Sequence, residues 1–164
     1  MFPQDIEAEA KAVIQAALKT GVMVATAESC TGGLVSGALT AIPGSSAVLD
    51  RGFVTYSNEA KAELLGVTDD LLAQFGAVSE PVARAMALGA VERSRASASV
   101  SITGVAGPGG GSVEKPVGLV HFAAVSPSGA VVHVERRFGD IGREAVRLES
   151  IRVALALLLG AVKA

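Results

Sequence analysis

The sequence predicts an α/β protein: a three-layer α/β/α sandwich on a mixed five-stranded sheet, with three parallel strands and a C-terminal antiparallel hairpin. Two observations predict this fold class. Up to residue 103, short apolar runs typical of strands alternate with segments whose apolar residues recur at helical spacing. Two further strand-type runs then flank the turn sequence SPSG. The 164 residues are expected to form one domain over residues 1–164.

Local signals define the elements that precede residue 104. Apolar residues at helical spacing predict helices, and runs rich in apolar, β-branched or aromatic residues predict strands. Gly21 and Gly66 are expected to end the helices before them, and Asn58 is expected to be a helix N-cap. The predicted elements are helix 5–19, strand 22–26, helix 31–41, strand 51–57, helix 59–65, helix 69–75, helix 80–95 and strand 98–103.

The rest of the chain predicts a loop, a hairpin and a long helix. Residues 104–116, the glycine loop, contain too much Gly and Pro for regular structure. Strands are expected over 117–125 and 130–138, and a last helix over about 141–162. Because helical crossovers separate the first three strands, these should be parallel with right-handed connections. The strand at 117–125, which is the most continuously apolar, should be interior, and the strand at 130–138 should be an edge.

Composition argues against several classes of partner. The net charge is −2, and the chain has no Trp, one Tyr and no basic tract, so no nucleic-acid partner is expected. No apolar stretch reaches the roughly 18 residues that a membrane span requires. The acidic start of the chain does not look like a secretory signal, and the single cysteine agrees with a reducing compartment. We therefore expect a cytoplasmic protein.

Polar residues follow each of the three predicted parallel strands. Ser29 follows the first, Tyr56 and Lys61 the second, and Thr103 and Gly104 the third. Since the carboxyl ends of parallel strands share one edge of the sheet, where open α/β folds bind their ligands, these residues are expected to meet at one site.

Ser29 allows two interpretations. It lies just before a predicted helix start at Thr31, Gly32 and Gly33, whose free backbone N–H groups could bind an anion or an oxyanion. Ser29 would then be a nucleophile. In the simpler interpretation, Ser29 or Thr31 is only an N-cap and the glycines form a tight turn. Cys30 is either a rival nucleophile or a buried small apolar residue.

A serine nucleophile needs a base. His121 and His133 fall on the two hairpin strands, where they are expected to form a structural pair away from the carboxyl edge of the first strand; a metal site there is the lesser alternative. Lys61 is the remaining candidate, because the first turn of a helix and partial burial would both lower its pKa. Otherwise, Lys61 is an ordinary exposed lysine.

The glycine loop matches no standard nucleotide motif. Its backbone around Gly107 could still bind a phosphate group, and Lys115, Arg143 or Arg147 could add positive charge. The alternative is a flexible connection without a ligand.

Several long motifs together resemble one known family, the CinA carboxy-terminal domain family, and in particular its stand-alone nicotinamide mononucleotide deamidases. The similarity covers about residues 5 to 160. The motifs are TAESCTGG, GFVTYSNEAKAELLGV, GAVSEPVARAMA, SITGVAGPGGGSVEKPVG and REAVR.

The resemblance implies an amidohydrolase that uses no metal and no cofactor and converts nicotinamide mononucleotide to nicotinate mononucleotide and ammonia. The family's serine nucleophile and lysine base fall on Ser29 and Lys61, and its pocket positions on Tyr56 and Thr103. Arg143 is the first choice for binding the substrate phosphate. A homo-oligomer, with a dimer favoured, is also implied. A binding module without turnover and a hydrolase of another small amide are the alternatives.

Overall fold

The computed structural model describes residues 1–164 and contains five strands and six α-helices in the predicted order. The strands are β1 (Val24–Glu28), β2 (Leu49–Val54), β3 (Ala98–Gly104), β4 (Leu119–Val125) and β5 (Val131–Arg137). The helices are α1 (Gln4–Thr20), α2 (Leu34–Thr40), α3 (Asn58–Leu65), α4 (Asp69–Phe75), α5 (Glu80–Glu92) and α6 (Arg143–Lys163). None of these helices is both long and apolar enough to span a membrane.

The five strands form one sheet in the order β2-β1-β3-β4-β5. β1 pairs in parallel with β2 and β3, whereas β4 is antiparallel to both of its neighbours. The predicted fold class is therefore confirmed, as are the interior position of β4 and the edge position of β5. Glu28 pairs with Val54 and with Ile102, so the carboxyl ends of the three parallel strands lie side by side.

Helices cover both faces of the sheet. α1, α2 and α6 pack on one face around the larger apolar core, and α5 packs on the other face with α3 and α4 against it. Residues of β3 alternate between these two layers, as the period of a strand requires. Val100 and Ile102 lie in the larger core, whereas the hydroxyls of Ser101 and Thr103 donate to Ala83 O at 2.6 Å and Ala77 O at 2.8 Å.

The bounds of two predicted elements near the β1–α2 connection are wrong. β1 begins and ends two residues later than predicted, so Glu28 belongs to the strand. α2 begins at Leu34 and not at residue 31, because Gly32 and Gly33 have positive φ angles of 60° and 97° that a right-handed helix excludes. The residues between β1 and α2 therefore form a tight turn.

Other bounds also differ. The N-cap of α3 is Ser57 and not Asn58, because the extended Ser57 accepts a hydrogen bond from Ala60 N at 3.0 Å. β2 lies at 49–54 and not at 51–57, since its pairing with β1 ends at Val54. α5 ends at Glu92, before 95, and α6 begins at Arg143 after Gly142, whose φ is 94°.

Candidate active site

A cavity of about 270 Å³ lies at the carboxyl ends of the parallel strands. Ser29 and Cys30 contribute from the end of β1, and residues of the glycine loop form the opposite wall. Thr31, Gly32 and Gly33, which were also predicted for the site, do not line it. The predicted residues that do are Ser29, Cys30, Tyr56, Lys61, Thr103, Gly104, Gly107 and Arg143.

The side chains of Ser29 and Lys61 are in direct contact. Lys61 Nζ lies 2.9 Å from Ser29 Oγ, and both residues are buried, with Lys61 only 1% exposed. Ser29 N donates to Ile102 O at 2.9 Å, which extends the β1–β3 pairing by one residue and fixes the serine at the strand end. Lys61 lies in the first turn of α3, where its N–H donates to Ser57 O. The fold thus joins residues that are 32 positions apart.

The other partners of Lys61 determine how its amine can act. Nζ also donates to the carbonyls Thr55 O at 2.8 Å and Tyr56 O at 3.3 Å, which can only accept. An amine that has lost one proton keeps two N–H groups and one lone pair. If the N–H groups go to the two carbonyls, the lone pair points to Ser29, whose hydroxyl can then donate.

Burial also favours the neutral form of this amine. Desolvation lowers the pKa of Lys61 from its ordinary value of 10.5 to about 8. Lys61 forms no ion pair with any carboxylate of the chain. The neutral amine is therefore more populated near neutral pH than it is for a lysine of ordinary pKa. The alternative of an ordinary exposed lysine is wrong.

Cys30 has the wrong environment for a nucleophile. Its thiol is buried, and burial raises the pKa of Cys30 to about 11. Because the thiolate is the reactive form, a higher pKa makes Cys30 less reactive than an exposed cysteine. This finding favours its interpretation as a buried small residue.

The start of α2 is already capped by a carboxylate. Glu28 is fully buried, and its two carboxylate oxygens accept from Val35 N at 2.9 Å and Ser36 N at 3.0 Å. Neither Ser29 nor Thr31 serves as the N-cap of α2, which was one of the interpretations left open by the sequence. Since Glu28 occupies these two amides of α2, an anion at the predicted site could bind only the backbone N–H groups of the turn.

Of the three cations considered for a phosphate group, only Arg143 lines the cavity. Its guanidinium donates to Gly107 O at 2.8 Å and to the Tyr56 hydroxyl at 3.2 Å. Lys115 instead donates to Phe75 O at the end of α4. Arg147, one turn after Arg143 on α6, donates to backbone carbonyls of the β1–α2 turn.

The glycine loop approaches its neighbours closely at two positions. A Cβ on Gly104 would lie 2.7 Å from Val120 Cγ2, and one on Gly107, whose φ is +81°, would lie 2.6 Å from Val117 Cγ1. Only glycine fits these positions without displacement of a neighbour. An apolar part of the cavity wall was not predicted, because its residues carry no polar signal: Ala77, Val78, Val105 and Ala106.

His121 and His133 form a pair outside the cavity. His121 Nδ1 and His133 Nε2 are 2.9 Å apart, and the rings stack with centroids at 5.2 Å. Burial, with His133 nearby, lowers the pKa of His121. His121 lies opposite Thr103, nearer to the carboxyl edge than predicted, because β4 runs antiparallel to β3. No three His, Cys, Asp or Glu side chains are arranged to hold a metal ion.

Comparisons with known proteins agree with this architecture. A sequence model of the CinA C-terminal domain matches residues 6–162. The protein named nicotinamide-nucleotide amidohydrolase PncC from Escherichia coli K12 is 54% identical over 145 residues, which cover 88% of this chain and 87% of that protein. The protein of the same name from Enterobacter agglomerans is 54% identical over 148 residues and 89% of both chains.

Solved structures show the same fold. The crystal structure of the competence/damage inducible protein CihA from Agrobacterium tumefaciens superposes with a TM-score of 0.97 at 57% identity and covers 98% of both chains. A CinA superfamily protein from Klebsiella pneumoniae superposes with a TM-score of 0.90 at 36% identity, over 97% of this chain and 98% of that one.

Proposed function

The chain belongs to the CinA C-terminal domain family, and from this premise we propose that it hydrolyses the carboxamide of nicotinamide mononucleotide to nicotinate mononucleotide and ammonia. The relatives named nicotinamide-nucleotide amidohydrolase, at 54% identity over most of both chains, support the reaction. The observation that carries the proposal for this chain is the 2.9 Å contact of Ser29 Oγ with Lys61 Nζ in the cavity.

In the first half of the reaction, neutral Lys61 accepts the hydroxyl proton of Ser29 while Oγ forms a bond to the carboxamide carbon. Negative charge develops on the carbonyl oxygen, and backbone N–H groups of the β1–α2 turn, or near Gly104, stabilise it. Protonated Lys61 then gives its proton to the amide nitrogen, the C–N bond breaks, and ammonia leaves an acyl ester on Ser29.

In the second half, water replaces ammonia. Lys61 takes a proton from the water as its oxygen attacks the ester carbon, and returns the proton to Ser29 Oγ as the acid is released. The two carbonyl partners of Lys61 keep its lone pair in the same direction in both halves.

We assign substrate binding to side chains that line the cavity. The Arg143 guanidinium binds the phosphate group, and the apolar wall at Ala77 and Val78 contacts the pyridine ring. Phosphate bound away from the reacting carbon orients the amide, so that binding energy also contributes to the rate. Action in the cytoplasm as a homo-oligomer, with no metal or cofactor, remains an expectation from the sequence.

Ammonia release from nicotinamide mononucleotide tests the proposal. The protein should release ammonia, Ser29→Ala should lose at least about 10³-fold in kcat, and Cys30→Ala, the matched neighbour, should retain most of the activity. An active Ser29→Ala variant that is folded would contradict the nucleophile.

The choice of amide tests the substrate. The riboside, which lacks the phosphate group, should react much more slowly because Arg143 loses its partner. Equal rates for the nucleotide and the riboside would indicate a hydrolase of another small amide. Binding of the nucleotide without ammonia release would indicate a binding module.

A further inference from the structure

Arg147 lies behind the β1–α2 turn and contacts its backbone. From α6, its Nε donates to Cys30 O at 3.2 Å and its NH2 group to Thr31 O at 3.3 Å. Arg147 is half-buried, does not line the cavity and forms no ion pair with a carboxylate. Its positive charge is therefore directed at two peptide carbonyls beside the predicted nucleophile.

The same turn contains three backbone N–H groups with no partner in the protein, those of Cys30, Thr31 and Gly33. The amides of Cys30 and Thr31 make no intramolecular hydrogen bond, whereas Gly32 N donates to Ser29 O at 3.0 Å. Cys30 follows Ser29 and lines the cavity. Its N–H is therefore available to an oxygen atom on the carbon that Ser29 attacks.

Peptide geometry connects Arg147 to the free amides of Cys30 and Thr31. These peptide bonds are trans, so each N–H points opposite to the C=O of the same unit. Arg147 holds Cys30 O, which belongs to the same unit as Thr31 N–H. Arg147 also donates to Thr31 O, and the same peptide unit contains Gly32 N–H. Gly32 N–H in turn donates to Ser29 O, which belongs to the peptide unit that contains Cys30 N–H.

We propose that Arg147 is a positioning residue that fixes the β1–α2 turn and polarises the amide of Cys30, which lines the cavity, as an oxyanion donor of the Ser29 reaction. Hydrogen bonds in a chain strengthen one another in a site of low dielectric, so a cation at one end makes the free N–H groups better donors. The inference rests on the proposed function for the role of Ser29 as the nucleophile, but not for the identity of the amide.

A charge series at position 147 tests this role. Arg147→Met should lower kcat about 10- to 100-fold and leave KM within about twofold, because the interaction acts on the oxyanion and not on the bound amide. Arg147→Lys, which retains the charge, should restore part of the lost kcat. Arg147→Gln, which can donate without a charge, should be less active than Arg147→Lys.

Arg152 offers a matched control on the same helix. It also joins α6 to another element, through an ion pair with Asp5 of α1, but it does not line the cavity. Arg152→Met should lower the melting temperature and leave kcat unchanged. If kcat at position 147 follows the melting temperature and not the charge, the role is only structural and the proposal is wrong. If Arg147→Met does not fold, the ratio of kcat for Arg147→Lys to kcat for Arg147→Gln tests the proposal, and a ratio of one or less would overturn it.

Acetylation of Ser29 by 4-nitrophenyl acetate separates this inference from the proposed function. The ester needs the same oxyanion donors but no phosphate and no amide, and intact mass identifies the acetylated protein. Slower acetylation in Arg147→Met than in Arg152→Met supports the inference even if nicotinamide mononucleotide is not a substrate. Equal acetylation rates would overturn it even if the nucleotide is hydrolysed.

Discussion

The Ser29–Lys61 pair and the His121–His133 pair are each held by a side-chain contact of 2.9 Å that involves a nitrogen base, but only the first pair opens onto a cavity. In the first pair, two carbonyls accept from the amine, so that its neutral form has a lone pair left for the serine. In the second, the imidazoles satisfy each other, and His133 Nδ1 faces Glu80 at 3.6 Å.

The difference shows that reactive side chains in contact do not by themselves form a site. Both pairs contain a base whose pKa burial lowers. What distinguishes Ser29 and Lys61 is the cavity beside them and the orientation that Thr55 O and Tyr56 O impose on the amine. Substitutions in the two pairs should therefore differ in their effect on activity far more than in their effect on folding.

The largest effect is expected for Lys61→Arg. Arginine retains the positive charge but does not lose its proton near neutral pH, so kcat/KM should fall by about 10²- to 10⁴-fold. In the unsubstituted protein, kcat/KM should increase with pH up to about 8, because the reactive form of Lys61 is the neutral amine. Ammonia release measured across the pH range checks both. A wild-type pH profile without this increase in kcat/KM would contradict the role of Lys61.

A smaller effect is expected on stability, since a lysine with a lowered pKa destabilises the fold when it is charged. The folded protein binds this proton more weakly than the unfolded chain, so the penalty is fully present below pH 8 and disappears as the pH rises through 10.5. The free energy of unfolding should therefore rise over this range by roughly 1 to 3 kcal/mol relative to Lys61→Met. Denaturant unfolding of both proteins at several pH values measures it. Parallel pH curves would show that Lys61 is not desolvated.

The smallest effect is expected for His133→Gln. Glutamine can replace the hydrogen bond to His121, and neither histidine lines the cavity. Ammonia release should stay within about twofold and the free energy of unfolding within about 1 kcal/mol. Loss of activity without loss of stability would show that the histidine pair contributes to catalysis. The conclusion that only the Ser29–Lys61 pair acts in the reaction would then be wrong.

The meeting of Ser29 and Lys61 could be predicted from the sequence, because both follow strands whose carboxyl ends share one edge. The capping role of Glu28 could not, because the end of β1 is set by pairing of Glu28 with Val54 and Ile102 and not by local preference. The contact of Arg147 with Cys30 O, which joins residues 117 positions apart, was not predicted either. Such contacts depend on how α6 packs and have no local signal.

The way in which the pKa of Lys61 is lowered has a consequence for the medium in which the protein works. Its pKa is lowered mainly by desolvation, and no carboxylate pairs with it. Dissolved ions screen interactions between charges but do not rehydrate a buried amine. If Arg143 and Ser29 have the proposed roles, ionic strength should therefore act on the binding of a phosphorylated substrate at Arg143, while the reactivity of the serine stays the same in dilute and concentrated electrolyte.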